Sequence, residues 1–156
     1  VIIRPAAVEE VELLAELGLH FCHTGIFPLL ADATEETLIG LLLAVFQLGE
    51  KGLIVVAEDR GGQVVGGLVA AVLPQPITQR DYADELCYWL EPVARGGEAA
   101  RLLLDAFECW VDARGLGCKM VAPCQAPWDR IGAVYRRRGY TAIETVFYRA
   151  ARPRSA

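Results

Sequence analysis

A chain of 156 residues with a formal net charge of −5 has room for one domain of ordinary size. Hydrophobic residues make up 54% and charged residues 22%, which excludes a disordered or low-complexity chain. The acidic balance speaks against a general nucleic-acid binder, which carries a basic footprint.

Val1–Arg4 is a short apolar run stopped by Pro5 and predicts a first strand. Val8–Leu19 has apolar residues at 8, 11, 13, 14, 17 and 19, with Glu9, Glu10, Glu12 and Glu16 between them. That spacing predicts an amphipathic helix with acids near its N-terminus, where the helix dipole favours them. His20–Ala33 contains Gly25 and Pro28 and reads as a loop, an unusually apolar one (Phe21, Ile26, Phe27, Leu29, Leu30). Asp32 or Thr34 then caps a second helix over Glu35–Leu48, although Thr34-x-x-Thr37 lacks the Glu of a full capping box. Leu53–Glu58 reads as a buried strand, Asp59-Arg60-Gly61-Gly62 as a turn and Gln63–Leu73 as the hairpin partner. Pro74–Arg80 is a loop with two prolines, and Asp84–Leu90 is a further strand closed by Pro92.

Glu98–Arg114 predicts a strong helix, with Leu102, Leu103, Ala106, Phe107, Trp110 and Val111 on one broad face. Lys119–Ala122 reads as a short strand and Trp128–Arg138 as a helix ended by Gly139. Thr141–Ile143 and Val146–Arg149 form an expected final strand pair. Residues 1–150 then make a single domain, with 151–156 as a frayed tail. The order predicts an α/β (α+β) fold with a mixed sheet and helices on its faces, rather than an alternating parallel one.

Five cysteines (Cys22, Cys87, Cys109, Cys118 and Cys124) are an odd number without a Cys-x-x-Cys pair. Reduced thiols and a cytoplasmic location are the expectation. His20-x-Cys22-His23 has no second ligand cluster at a fitting distance, so no metal is expected. No apolar run approaches the roughly 18 residues of a membrane span. The start, Val1–Pro5, lacks the features of a secretory signal. The apolar excess allows a self-association face, and so a homodimer.

The segment richest in chemistry joins the strand 84–90 to the helix 98–114: Leu90-Glu91-Pro92-Val93-Ala94-Arg95-Gly96-Gly97-Glu98-Ala99-Ala100-Arg101. Amides at a helix N-terminus are unpaired and point outward, and the dipole adds partial positive charge. Two glycines let the backbone approach a bound group, and Arg95 offers a fork of donors suited to phosphate. Together they make a pyrophosphate cradle. A dinucleotide fingerprint and a P-loop are both absent.

Arg95-Gly96-Gly97-Glu98-Ala99-Ala100 resembles the acyl-CoA-binding motif of the GNAT N-acetyltransferase superfamily, Arg/Gln-x-x-Gly-x-Gly/Ala. The motif's central Gly is Glu98 in this chain, and its last position is Ala100. Glu91-Pro92 resembles the acidic-proline pair that ends the fourth strand there. Gly132-Ala133-Val134-Tyr135-Arg136-Arg137-Arg138-Gly139-Tyr140 is similar to the later motif, a Tyr-bearing helix ending in Gly and an aromatic residue. Glu85-Leu86-Cys87-Tyr88-Trp89-Leu90 resembles a bacterial and phage-associated branch.

The resemblance implies a mixed sheet of six to seven strands flanked by about four helices. It implies transfer of an acetyl group from acetyl-CoA to an amine acceptor by direct attack, with Leu90, Val93, Arg95, Gly96, Gly97, Glu98, Ala99 and Ala100 around the cofactor. Tyr135 matches the proton donor to the departing thiolate. Glu85 is the leading base, on the strand bordering the expected cleft, with Asp84 of opposite parity as the fallback. Trp89 is a candidate wall of the acceptor channel, or a core aromatic. A catalytically silent acyl-CoA-binding or partner-binding module is the alternative, and Glu98 is the feature that favours it. Residues 1–94 sum to a charge of −10 and residues 95–156 to +5, with the break at the suspected phosphate loop. Arg95, with Arg101 or Arg136, is expected to meet phosphate.

Overall fold

Three long strands, two of them near-continuous apolar runs buried on both faces, fix the centre of the molecule. In the computed structural model, which describes residues 1–24, 28–122 and 130–143, these strands are β2 (Gly52–Glu58), β3 (Val64–Pro74) and β4 (Asp81–Leu90). β1 (Ile2–Pro5) and β5 (Cys118–Lys119) complete a five-stranded sheet in the order β1-β2-β3-β4-β5. Every neighbouring pair is antiparallel except β4 and β5, which run parallel. The helices are α1 (Val11–Cys22), α2 (Glu35–Gln47), α3 (Glu98–Asp112) and α4 (Arg130–Arg137).

Successive strand residues point to opposite faces, so the sheet feeds two cores. Val55, Ala57, Leu68, Ala70 and Ala83 pack with Ala99, Leu103, Leu104 and Phe107 of α3 and with Tyr135 of α4. Ile54, Val56, Val69 and Trp89 pack with Val11, Leu14 and Ala15 of α1 and with Leu42 and Val45 of α2. Arg4 ties three elements together: its guanidinium donates to Glu58 at 2.7 Å and to both carboxylate oxygens of Glu10 at 2.7 and 2.8 Å.

The structure corrects several expectations. The sheet has five strands among the described residues, not six to seven. Thr141–Ile143 forms no strand with any of the described residues, and Ile143 is exposed. Val146–Arg149, the tail 151–156, Cys124 and the first residues of the helix expected from Trp128 lie outside the described residues. α1 runs on through His20 to Cys22, because Cys22 continues its buried face. β4 starts three residues early, at Asp81, since Tyr82 and Ala83 still pair with Leu73 and Val72. α2 has its capping box after all: Thr34 accepts from the Thr37 N–H at 3.2 Å, and the Thr37 hydroxyl accepts from the Thr34 N–H at 3.0 Å. A hydroxyl does the work expected of Glu.

Candidate active site

The site grows from an irregularity in β4. Val69 pairs with Cys87 and Ala70 with Glu85, which leaves Leu86 as the extra residue of a β-bulge. The bulge breaks the alternation. Ala83 and Tyr88 pack on the α3 side, while Leu86, Cys87 and Trp89 pack under α1 and α2. The other edge of β4 pairs with β5 only at Ala83 and Asp84. Among the described residues, Leu86–Leu90 have no strand on that side, so those of their backbone groups that turn away from β3 line an open edge.

Glu85 sits at the start of that edge and is 9% exposed. Its Oε2 accepts from the Val121 N–H at 3.0 Å, just past the end of β5. Burial pushes its carboxyl up to about 7, against the pull of that hydrogen bond. Tyr135 comes from α4 to the same place, donating its hydroxyl to the Val121 carbonyl at 3.4 Å. Burial, followed by the nearby Glu85 charge, raises its phenol well above the usual range, so it stays protonated. α4 ends in a Schellman motif that fixes this tyrosine. Gly139, at φ +91°, donates to the Arg136 carbonyl and the Tyr140 N–H donates to the Tyr135 carbonyl. The Tyr135 and Tyr140 rings then meet at a centroid distance of 5.5 Å.

The two remaining β4 candidates lie elsewhere. Asp84 accepts from the Tyr82 hydroxyl at 3.2 Å and pairs with Lys119 at 3.2 Å, leaving Oδ1 buried without a hydrogen-bond partner among the described residues. Trp89 is 3% exposed in the core under α1 and α2, and its indole N–H has no hydrogen-bond partner among the described residues. The ring lies flat against Gly67, where a Cβ would stand 2.2 Å from Cη2.

At the far end of β4 the chain makes a short 3-10 turn, Pro92–Ala94, and enters α3. Gly97 caps α3 without any side-chain hydrogen bond. The first amides of the helix therefore have no capping side chain. Gly96 takes φ +71°, which only glycine adopts easily, and nothing lies within 4 Å of the place a Cβ would fill. Arg95 is exposed and its Nε donates to the Leu90 carbonyl at 3.1 Å, which folds the side chain over the loop. Val93 is 88% exposed, whereas Ala99 is buried against the sheet. The Glu98 carboxylate is exposed and turned toward the start of β1, 4.0 Å from the Val1 nitrogen. Tyr88 joins the two ends of the site, donating its hydroxyl to the Ala100 carbonyl at 3.0 Å.

Solved structures share this fold over nearly their full length. One is a variant of the BH1408 protein from Bacillus halodurans, with a TM-score of 0.77, 21% identity, and cover of 97% of this chain and 99% of that one. A second is a GCN5-related N-acetyltransferase from Ralstonia eutropha (TM-score 0.69, 18% identity, 96% and 97%). A third is an aminoglycoside 6′-N-acetyltransferase from Acinetobacter haemolyticus (TM-score 0.66, 15% identity, 98% and 99%). The chain has the GNAT fold. No family model matches it, and no curated protein matches it in sequence.

Within the GNAT fold, Glu85 and Tyr135 meet on one residue, Val121. Leu90, Arg95, Gly96, Gly97 and Ala100 lie along the loop and helix start beyond the open β4 edge. Trp89 stands apart, on the α1 and α2 side. Tyr88 and Val121 escaped sequence reasoning. Tyr88 has the wrong parity for the Glu85 face until the bulge is known, and Val121 contributes only its backbone. Arg101 pairs with Asp105 at 2.7 Å, while Arg136 is exposed. Among the described residues no group of His, Cys, Asp or Glu is placed to hold a metal ion. None of their helices is long and apolar enough to cross a membrane.

Proposed function

We propose that the protein moves an acetyl group from acetyl-CoA to an amine by direct attack. The observation that carries this reading is one continuous strip. It runs from a buried Glu85 and a protonated Tyr135, along an unpaired strand edge, to the uncapped N-terminus of α3. The residues fit the cofactor. The uncapped amides, Gly96, Gly97 and exposed Arg95 suit a pyrophosphate, and the Glu98 side chain is exposed at the helix start. Leu90 and Val93 flank that loop, and Ala99 and Ala100 keep the first helical turn small.

Acetyl-CoA supplies an activated thioester, whose C–S bond breaks as the new C–N bond forms. Glu85, half ionised near neutral pH, takes the proton that the amine must lose, directly or through a water. Backbone N–H groups on the open β4 edge polarise the acyl oxygen. Tyr135 gives its proton to the sulfur and recovers through solvent the one that Glu85 takes from the attacking nitrogen, while the extra proton of the ammonium form passes to solvent before attack. The acceptor is a cationic amine, drawn by the acidic first 94 residues.

Thiol release from acetyl-CoA in the presence of a panel of primary amines tests the reading. At least one amine is expected to release thiol above the blank. Binding of CoA with no turnover on any amine favours the silent module instead.

A further inference from the structure

β4 and β5 pair in parallel with Ala83 beside Cys118 and Asp84 beside Lys119, and the Ala83 N–H donates to the Gly117 carbonyl at 2.9 Å. Continued for one more step, that register would give the Val121 N–H to the main-chain carbonyl of Glu85. It goes to the Glu85 side chain instead, at Oε2 and 3.0 Å. A carboxylate stands several bonds out from its own backbone. Val121 is therefore held off β4 by the length of the side chain, at the residue where the open edge begins. The carbonyl of the same Val121 accepts from Tyr135 at 3.4 Å. Both polar backbone groups of this one residue are thus taken by side chains, one from β4 and one from α4.

We propose that Glu85 is also a positioning residue. Its carboxylate replaces the next rung of the ladder, wedges the chain after β5 away from β4, and through Val121 sets the hydroxyl of Tyr135. This goes beyond proton transfer, and it rests on the proposed function only for its consequence in catalysis. A base needs an ionisable oxygen. A wedge needs an acceptor oxygen at the right reach, and an amide oxygen serves as well. Val121 is 47% exposed, while Met120 and Ala122 on either side of it pack against the core, so its two backbone contacts fix the one exposed residue of this stretch.

Amide hydrogen exchange at Val121, followed by NMR, separates these roles, with the Phe107 amide of α3 as the reference for global folding. Wild type and Glu85→Gln are expected to protect Val121 equally. Glu85→Leu is expected to speed exchange there by about tenfold or more, as for loss of one buried hydrogen bond, with Phe107 unchanged. Glu85→Asp keeps the charge but is one methylene short, and is expected to exchange fast as well. It carries the test if Glu85→Leu fails to fold. Acetyl-CoA affinity is expected to follow the wedge, kept in Glu85→Gln and weakened in Glu85→Asp, while kcat falls in both. Slow exchange in Glu85→Asp and Glu85→Leu, or fast exchange in Glu85→Gln, would overturn the wedge. If wild type binds no acetyl-CoA, the proposed function fails, and the exchange rates still decide the wedge.

Discussion

Burial is what would suit the carboxyl of Glu85 to the proposed role of base. Pushed up to about 7, it leaves the folded chain holding a proton that the unfolded chain has already lost. Stability therefore falls as pH rises from the ordinary glutamate range through about 7, by on the order of 3 kcal/mol, and levels off above. Denaturant titrations at pH 5 and pH 8 are expected to show wild type weaker at pH 8 and Glu85→Gln nearly level. Activity runs the other way, rising as the carboxylate forms. Glu85→Gln is expected to lower kcat by about a hundredfold and to remove that limb of the pH profile. Tyr135→Phe is expected to lower kcat by about ten- to a hundredfold, with acetyl-CoA affinity little changed. Sequence alone picked out Glu85 and Tyr135, one from its place on a strand and the other from a motif. Their junction was invisible, because Val121 joins them through backbone atoms that every residue carries.

The elements themselves were largely legible. Helical spacing of apolar residues located α1, α2 and α3, and turn residues located the β2–β3 hairpin. What could not be read was the bulge at Leu86, since one extra residue leaves no mark in a run of apolar and aromatic side chains. It sends Cys87 and Trp89 to one core and Tyr88 to the other, so strict alternation misplaces all three. Trp89 then occupies space that a larger residue at 67 would fill. A Cβ at Gly67 would lie 2.2 to 2.6 Å from three ring carbons. Gly67→Ala is expected to destabilise the fold by about 1–3 kcal/mol, measured by chemical denaturation, because the ring and strand must move apart. Of the expected last strands, Thr141–Ile143 is described and is not a strand, while its expected partner, Val146–Arg149, lies outside the described residues.

At the scale of the molecule, the division of charge acquires a structural sense, though a narrower one than its sums suggest. Several cations of the basic part are committed to architecture. Arg138 clamps α4 to α3 through Glu108 at 2.6 and 2.7 Å and through Asp105, and Arg114 donates to the Glu50 carbonyl at 3.0 and 3.1 Å and lies over the Trp110 ring. The Arg136-Arg137-Arg138 run thus divides into two exposed side chains and one clamp. Arg95 is the cation that stands at the uncapped start of α3, and it bears the weight of the phosphate assignment. Calorimetric titration of acetyl-CoA into wild type and Arg95→Glu, at low and at moderate salt, tests that assignment most directly. The account predicts one saturable site that weakens with salt, and a loss of about tenfold or more in affinity in the variant. Absence of saturable binding to wild type, or undiminished binding to Arg95→Glu, would contradict it.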